Sequence, residues 1–173
     1  MPEQSFQLSI HPALGRELAP ALRRQILKLR GMIKKCHLRE LSVALVSDAE
    51  MQRLHKQFLG INTTTDVLTF EIDLDARGNV ISGEVVICVP QARRQALDAQ
   101  PVTPHASVVA RSLANEVLLL ALHGLLHLSG FDDKTARQFT AMHRAEDRLL
   151  SQLGVGPVFG LAKRTQSLRT DKR

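Results

Sequence analysis

Tryptophan and tyrosine are both absent from the 173 residues, and the only aromatics are six phenylalanines. A surface on which successive bases stack is therefore a poor basis for any nucleic-acid binding, and a grip on RNA would have to be mostly electrostatic. Cysteine is scarce too. Cys36 and Cys88 lie far apart, and neither belongs to a Cys-x-x-Cys or Cys/His pattern, which points to a reduced, cytoplasmic chain. No stretch approaches the roughly 18 apolar residues of a membrane span. The start, MPEQSFQLSI, lacks the basic flank and apolar run of a secretory signal. A soluble, unprocessed protein with no membrane partner is expected. Internal repeats and low-complexity segments are also missing.

The chain is 44% apolar and 23% charged, proportions that fit one globular domain with a single core. Its net charge of +6 comes from 23 Lys and Arg against 17 Asp and Glu. From Gly154 onward Lys163, Arg164, Arg169, Lys172 and Arg173 stand against Asp171 alone, so this end carries +4 and the body +2. The expected organisation is a single domain over residues 1–155 and a flexible basic tail over 156–173. Such a surplus favours polyanions and serves solubility equally well.

Hydrophobic periodicity orders the elements. Phe6 to Ile10 alternate apolar and polar, as a strand does, and Leu22, Ile26, Leu29 and Ile33 mark a helix opening at Pro20. That helix also carries Arg23, Arg24, Lys28, Arg30, Lys34 and Lys35, a solvated surface or an RNA-facing one. Leu41 to Val46 reads as a buried strand, followed by a capping-box pattern, Ser47 with Glu50, and a helix to about Phe58. Thr65 to Ile72 and Val80 to Val89 form a strand pair around a turn at Gly78-Asn79. A short helix after Pro90, a long apolar one from near Pro104 to Leu128 and a last one after Asp133 complete the chain. The last is expected to turn Phe139, Met142, Leu149, Leu150 and Leu153 inward and to stop at Gly154. The predicted fold is α/β (α+β): a small mixed four-stranded sheet packed with about five helices.

The stretch that carries chemistry is His123-Gly124-Leu125-Leu126-His127-Leu128-Ser129-Gly130-Phe131-Asp132-Asp133. Histidines four apart on a helix stand about 6 Å apart along the axis on nearly one face, close enough to share a metal ion. Satisfied core histidines give the same spacing. Gly130 can take the left-handed conformation that ends a helix, folding the chain back so that Asp133 reaches the same ion. This is the metzincin spacing with two differences: Gly124 stands where the general-base Glu would be, and Asp133 replaces the third His. Peptidase chemistry therefore lacks its base, whereas an ion could still assist phosphodiester cleavage by water or by a neighbouring 2'-hydroxyl. Asp133 has a second reading, as N-cap of the final helix, and Asp132 could take either position.

Three blocks resemble the YbeY family of metal-dependent endoribonucleases and rRNA maturation factors. Thr65-Asp66-Val67-Leu68-Thr69-Phe70 looks like the family's TDVLSF, and Gly83-Glu84-Val85-Val86-Ile87-Cys88 looks like its GDIVIC. HGLLHLSGFDD is similar to its HGxLHLxGYDH and is the specific block; the likeness covers residues 6 to about 155. The resemblance implies a cytoplasmic single-strand-specific endoribonuclease with one zinc-type ion at a cleft. It would act in maturation of the 16S rRNA 3' end and in ribosome quality control, with single-stranded RNA, rRNA and the small ribosomal subunit as partners.

Carried over by position, His123 and His127 match the first two metal ligands and Asp133 falls where the family has its third His. A carboxylate there lowers the charge of the site and shifts preference toward manganese or magnesium. A second departure is Leu59, in Phe58-Leu59-Gly60, where the family usually has an Arg. Arg53, Arg93, Arg94 and Arg111 are candidate substitutes on RNA. Thr65 and Asp66 set the turn into their strand or touch RNA. Both departures keep a second function open, a ribosome-assembly or RNA-binding module that has lost efficient cleavage; a third is a purely structural ion. Glu116, seven residues before His123 and on about the same helix face, reads as a surface or capping-region residue or as a hydrogen-bond partner of a ligand imidazole, and Cys88 as a small core residue. His11, His37, His55, His105 and His143 read as surface or half-buried histidines without metal spacing.

Overall fold

The computed structural model describes residues 6–98 and 112–159. Pro104, His105, Arg111 and most of the basic tail, residues 160–173, lie outside the described residues. The elements in chain order are β1 (Gln7–Pro12), α1 (Ala19–Met32), β2 (Glu40–Val46), α2 (Asp48–Leu59), β3 (Val67–Leu74), β4 (Val80–Cys88), α3 (Val89–Asp98), α4 (Leu113–His127) and α5 (Ala136–Gln152). A single 3-10 turn at Arg16–Leu18, which the sequence pattern does not announce, precedes α1.

The sheet order is β1-β2-β4-β3. β1, β2 and β4 run parallel, and β3 returns antiparallel at the edge of β4. β4 is therefore central and buried on both faces, as a parallel interior strand should be. Its period of two sends Val85 and Ile87 into the main core and Val86 and Cys88 into a smaller one. Met51 of α2 fills the smaller cluster, while α1, α4 and α5 build the larger one on the opposite face. α4 is buried almost all round, from Val117 to Leu122, which is what its unbroken apolar run requires.

Local chemistry sets the helix starts. Ser47 accepts a hydrogen bond from the Glu50 N–H at 3.3 Å and caps α2. The Glu50 carboxylate turns to Arg53 at 2.7 and 2.9 Å, so the side-chain half of the expected capping box is taken up by an ion pair. Ser112 is extended and caps α4 through Asn115 N–H at 3.1 Å, so the histidine-bearing helix starts at Leu113. The expected start at Pro104 is corrected accordingly. α5 is capped by Thr135 and Gln138 in a reciprocal box, so neither Asp132 nor Asp133 is its cap. Phe139, expected in the core, is half exposed and packs edge-on against the His143 ring, with centroids 3.9 Å apart. It lies on the flank of α5, whose buried stripe runs through Met142, Ala145, Glu146, Leu149 and Leu150. Val155, Val158 and Phe159 pack against the core.

Candidate metal centre

The last turn of α4 and the loop after it bring His123, His127 and Asp133 together. Leu128 N–H closes the helix on Gly124 O, and Phe131 N–H reaches back to Leu126 O at 3.0 Å. Gly130 between them has φ +89°, a conformation an L side chain rarely adopts, and this reversal carries Asp133 back over the histidines. One donor atom from each of the three residues lies within 4.8 Å of the others, a group that could hold a metal ion. The two Nε2 atoms are 3.1 Å apart, and Asp133 Oδ2 is 4.0 Å from each. Ligands about 2.1 Å from a tetrahedral ion stand about 3.4 Å apart, so the histidine pair is slightly tighter than that and the Asp slightly wider.

The far sides of the rings decide which nitrogens are free. His127 Nδ1 faces the Phe131 carbonyl at 3.2 Å, and a carbonyl can only accept, so this nitrogen carries the hydrogen. His123 Nδ1 donates to Glu146 Oε1 at 2.8 Å. With the Nδ1 hydrogens so placed, both Nε2 atoms turn lone pairs toward one point, 3.1 Å apart, where a divalent ion could bind. The donor set, two imidazoles and a carboxylate, suits a divalent ion and leaves room for a further ligand. Burial disfavours the charged form of His123, and the Glu146 carboxylate more than offsets it, with help from Asp133 and Asp66. The imidazole is thus held above its ordinary pKa.

A cavity of about 510 Å³ opens beside His123, lined among others by Asp66, Gln95, Glu116, His143, Glu146 and Phe159. Glu116 is 3% exposed and lines the cavity, which corrects its expected surface position and keeps it on the His123 side of α4. Asp66 serves its turn, accepting from Val67 N–H at 2.8 Å, and also accepts from Gln95 at 2.9 Å on the cavity wall. Thr65 donates to Asp66 at 3.3 Å.

Two of the candidate cations among the described residues, Arg53 and Arg94, are engaged. Arg94 is held by Asp48 at 2.6 and 3.0 Å, and its guanidinium keeps that carboxyl below the usual range. Arg53 is occupied by Glu50 and Gln57. Arg93 is exposed on α3, and Leu59 is exposed at the end of α2. Asp132 accepts from Lys134 at 3.0 Å and from the Asp133 N–H, so it faces its own loop. Cys88 is buried, as expected, and burial pushes its thiol pKa up.

Sequence reasoning missed Glu146 and His143, the partners behind His123. The signal was present: Glu146 is four residues after Met142 and three before Leu149, so a charged residue sits on the apolar stripe of α5. No helix among the described residues is long and apolar enough to cross a membrane.

Comparisons with known proteins cover the same stretch of the chain. A family profile described as Endoribonuclease YbeY matches residues 10–154. Endoribonuclease YbeY of Gloeobacter violaceus is 36% identical over 122 residues, 67% of this chain and 58% of that protein. The namesakes from Bordetella avium and Moorella thermoacetica are 34% and 33% identical, over 71% and 67% of this chain and 70% and 74% of their own lengths. The solution structure of a Thermotoga maritima protein has the same fold, with a TM-score of 0.57 at 22% identity over 86% of this chain and 91% of that one.

Proposed function

Because the chain belongs to the YbeY endoribonuclease family, we propose that it is a metal-dependent, single-strand-specific endoribonuclease of rRNA maturation, acting at the 16S rRNA 3' end and in ribosome quality control. His123, His127 and Asp133 hold one divalent ion. Zinc is the first candidate, and manganese or magnesium follow from the carboxylate. The observation that carries this reading is the convergence of two Nε2 lone pairs and one carboxylate oxygen on a single point. When bound, such an ion supplies Lewis acidity to a phosphodiester.

The chain's own residues prepare that site. Phe131 O and Glu146 fix the two imidazoles by their Nδ1 hydrogens. Gly130 sets the approach of Asp133, and the neighbouring cavity gives a nucleotide room next to His123. Exposed cations such as Arg93, together with Arg111 and the basic residues of 156–173, hold the RNA backbone in this reading. The catalytic unit is residues 1–155, in the cytoplasm, with rRNA and the small ribosomal subunit as partners.

The test is cleavage of a labelled single-stranded RNA and of its duplex by protein stripped of metal and then reloaded separately with zinc, manganese or magnesium. Cleavage of the single strand that returns with one of these ions, and is lost in His127→Ala, is the expected result. Unchanged cleavage by His127→Ala would refute the site. A second reading is favoured by the exposed Leu59 and the engaged Arg53 and Arg94: an RNA-binding assembly module without efficient cleavage. Steeply salt-dependent RNA binding with no cleavage at any metal would select it.

A further inference from the structure

Glu146 is fully buried, and both its oxygens are taken by imidazoles. Oε1 accepts from His123 Nδ1 at 2.8 Å and Oε2 from His143 Nδ1 at 2.6 Å. A carboxylate removed from water needs such partners, and two short bonds to N–H donors meet that need. His143 is itself held in place: Phe139 meets its ring edge-on and Phe159 stacks on it with centroids 3.7 Å apart. Phe159 is fixed in turn because the Val158 and Phe159 N–H groups both donate to Asp147 Oδ1, at 2.7 and 2.9 Å. The series therefore runs from the end of α5 through His143 and Glu146 to the ring of His123.

We propose that Glu146 and His143 are positioning residues for His123. Glu146 holds the hydrogen of His123 on Nδ1 and fixes the ring plane, so that Nε2 faces His127 and Asp133. His143 holds Glu146 in the rotamer that does this. Carboxylate partners of this kind set ligand orientation and basicity in metal sites. The proposal rests on the metal-centre reading above and adds to it two residues that do not touch the ion.

A merely structural role for His143, filling the space between two phenylalanines, makes the opposite prediction for a matched pair of variants. His143→Asn keeps an N–H donor near the Nδ1 position and loses the ring. His143→Phe keeps a ring for Phe139 and Phe159 and loses the donor. Glu146→Gln is the third variant; it offers an acceptor to only one histidine and an N–H to the other.

The first measurement is the tautomer of His123 in the metal-free protein at alkaline pH, read from long-range 1H–15N spectra. The Nδ1–H form is expected in the wild type and in His143→Asn, and a mixture in His143→Phe and Glu146→Gln. The second is zinc affinity by competition with a chromophoric chelator, with the visible spectrum of the cobalt-loaded protein beside it. His143→Phe and Glu146→Gln are expected to lose at least about tenfold in zinc affinity and to alter the cobalt bands, while His143→Asn stays within about threefold of wild type. Wild-type tautomer and affinity in all three variants would overturn the proposal. So would the reverse order, with His143→Asn impaired and His143→Phe intact. If Glu146→Gln does not fold, the two His143 variants decide. Because the tautomer is read without metal, a wild type with ordered His123 that binds no ion would sink the metal centre, whereas a tautomer indifferent to these substitutions would sink the positioning.

Discussion

A Cβ at Gly124 would fall 2.6 Å from Val85 Cγ2, so α4 lies against β4 with only a hydrogen between backbone and strand. Val85 Cγ1 and Thr69 Oγ1 press on the same point at 2.8 and 2.9 Å. The residue after the first histidine is thus at a helix–sheet contact, and the position that carries a general-base Glu in metzincin-type helices has no room for a side chain here.

Gly124→Ala is therefore expected to destabilise the fold by about 1–3 kcal/mol through overpacking, although alanine favours helices. Urea denaturation measures the loss. Zinc affinity should fall with it, because any shift of α4 moves His123 and His127 off their common point. A Gly124→Ala protein as stable as the wild type would mean that the contact relaxes freely.

Elemental analysis of protein purified without added metal should give near one equivalent, lost in His123→Ala and in Asp133→Ala. Asp133→His replaces a carboxylate by an imidazole that reaches farther, and is expected to raise zinc affinity by about tenfold and to lower the preference for manganese. Unchanged metal content in Asp133→Ala would remove Asp133 from the ligand set.

How far the sequence discloses this centre differs from residue to residue. His123 and His127 are legible because helical spacing alone puts them on one face, and Gly130 because a helix must be reversed there to reach the next one. Asp133 could be read as ligand or cap, and the Thr135 capping box removes the second reading. Glu146 is 23 residues from His123, and nothing local tells which neighbour a buried carboxylate on α5 will meet. The strands were legible from the alternation of Phe6 to Ile10, the apolar run Leu41 to Val46 and the β-branched runs on either side of Gly78-Asn79, but not the order β1-β2-β4-β3, which depends on non-local pairing. Phe139 shows the limit of periodicity, since it belongs to the flank of a stripe and packs on a histidine.

The pH dependence follows from His123. Its folded-state pKa is raised above the ordinary 6.5. In the metal-free protein the protonated imidazole beside Glu146 therefore contributes stability in full below about pH 6.5, and that contribution disappears as pH rises through the higher folded value. Melting temperature against pH, compared with His123→Gln, reads it directly: the difference between the two should shrink toward alkaline pH. Metal binding has the opposite trend, because the ion must displace that proton, so zinc affinity should fall as pH drops through the same range.

Leu59→Arg tests the weakened-module reading. Introducing a cation at this exposed position should steepen the salt dependence of single-stranded RNA binding by about 0.7 in log–log slope if the new charge meets a phosphate. A rise in cleavage rate as well would mean that the guanidinium reaches the scissile group. An unchanged slope and rate would show that position 59 lies off the RNA path.

Thr135→Ala should cost about 1 kcal/mol through loss of the α5 cap, with Asp132→Ala nearly neutral at the same helix start. Equal effects in thermal melts would contradict the capping assignment.

The anchoring of Val158 and Phe159 on Asp147 has a practical corollary for protein engineering. A fusion partner, purification handle or shortened terminus introduced ahead of Phe159 would strip the stacked ring from His143 and open the wall of the cavity next to His123. Versions of this protein trimmed for crystallisation or assay should keep the chain through Phe159, even where the domain reads from sequence as finished at Val155.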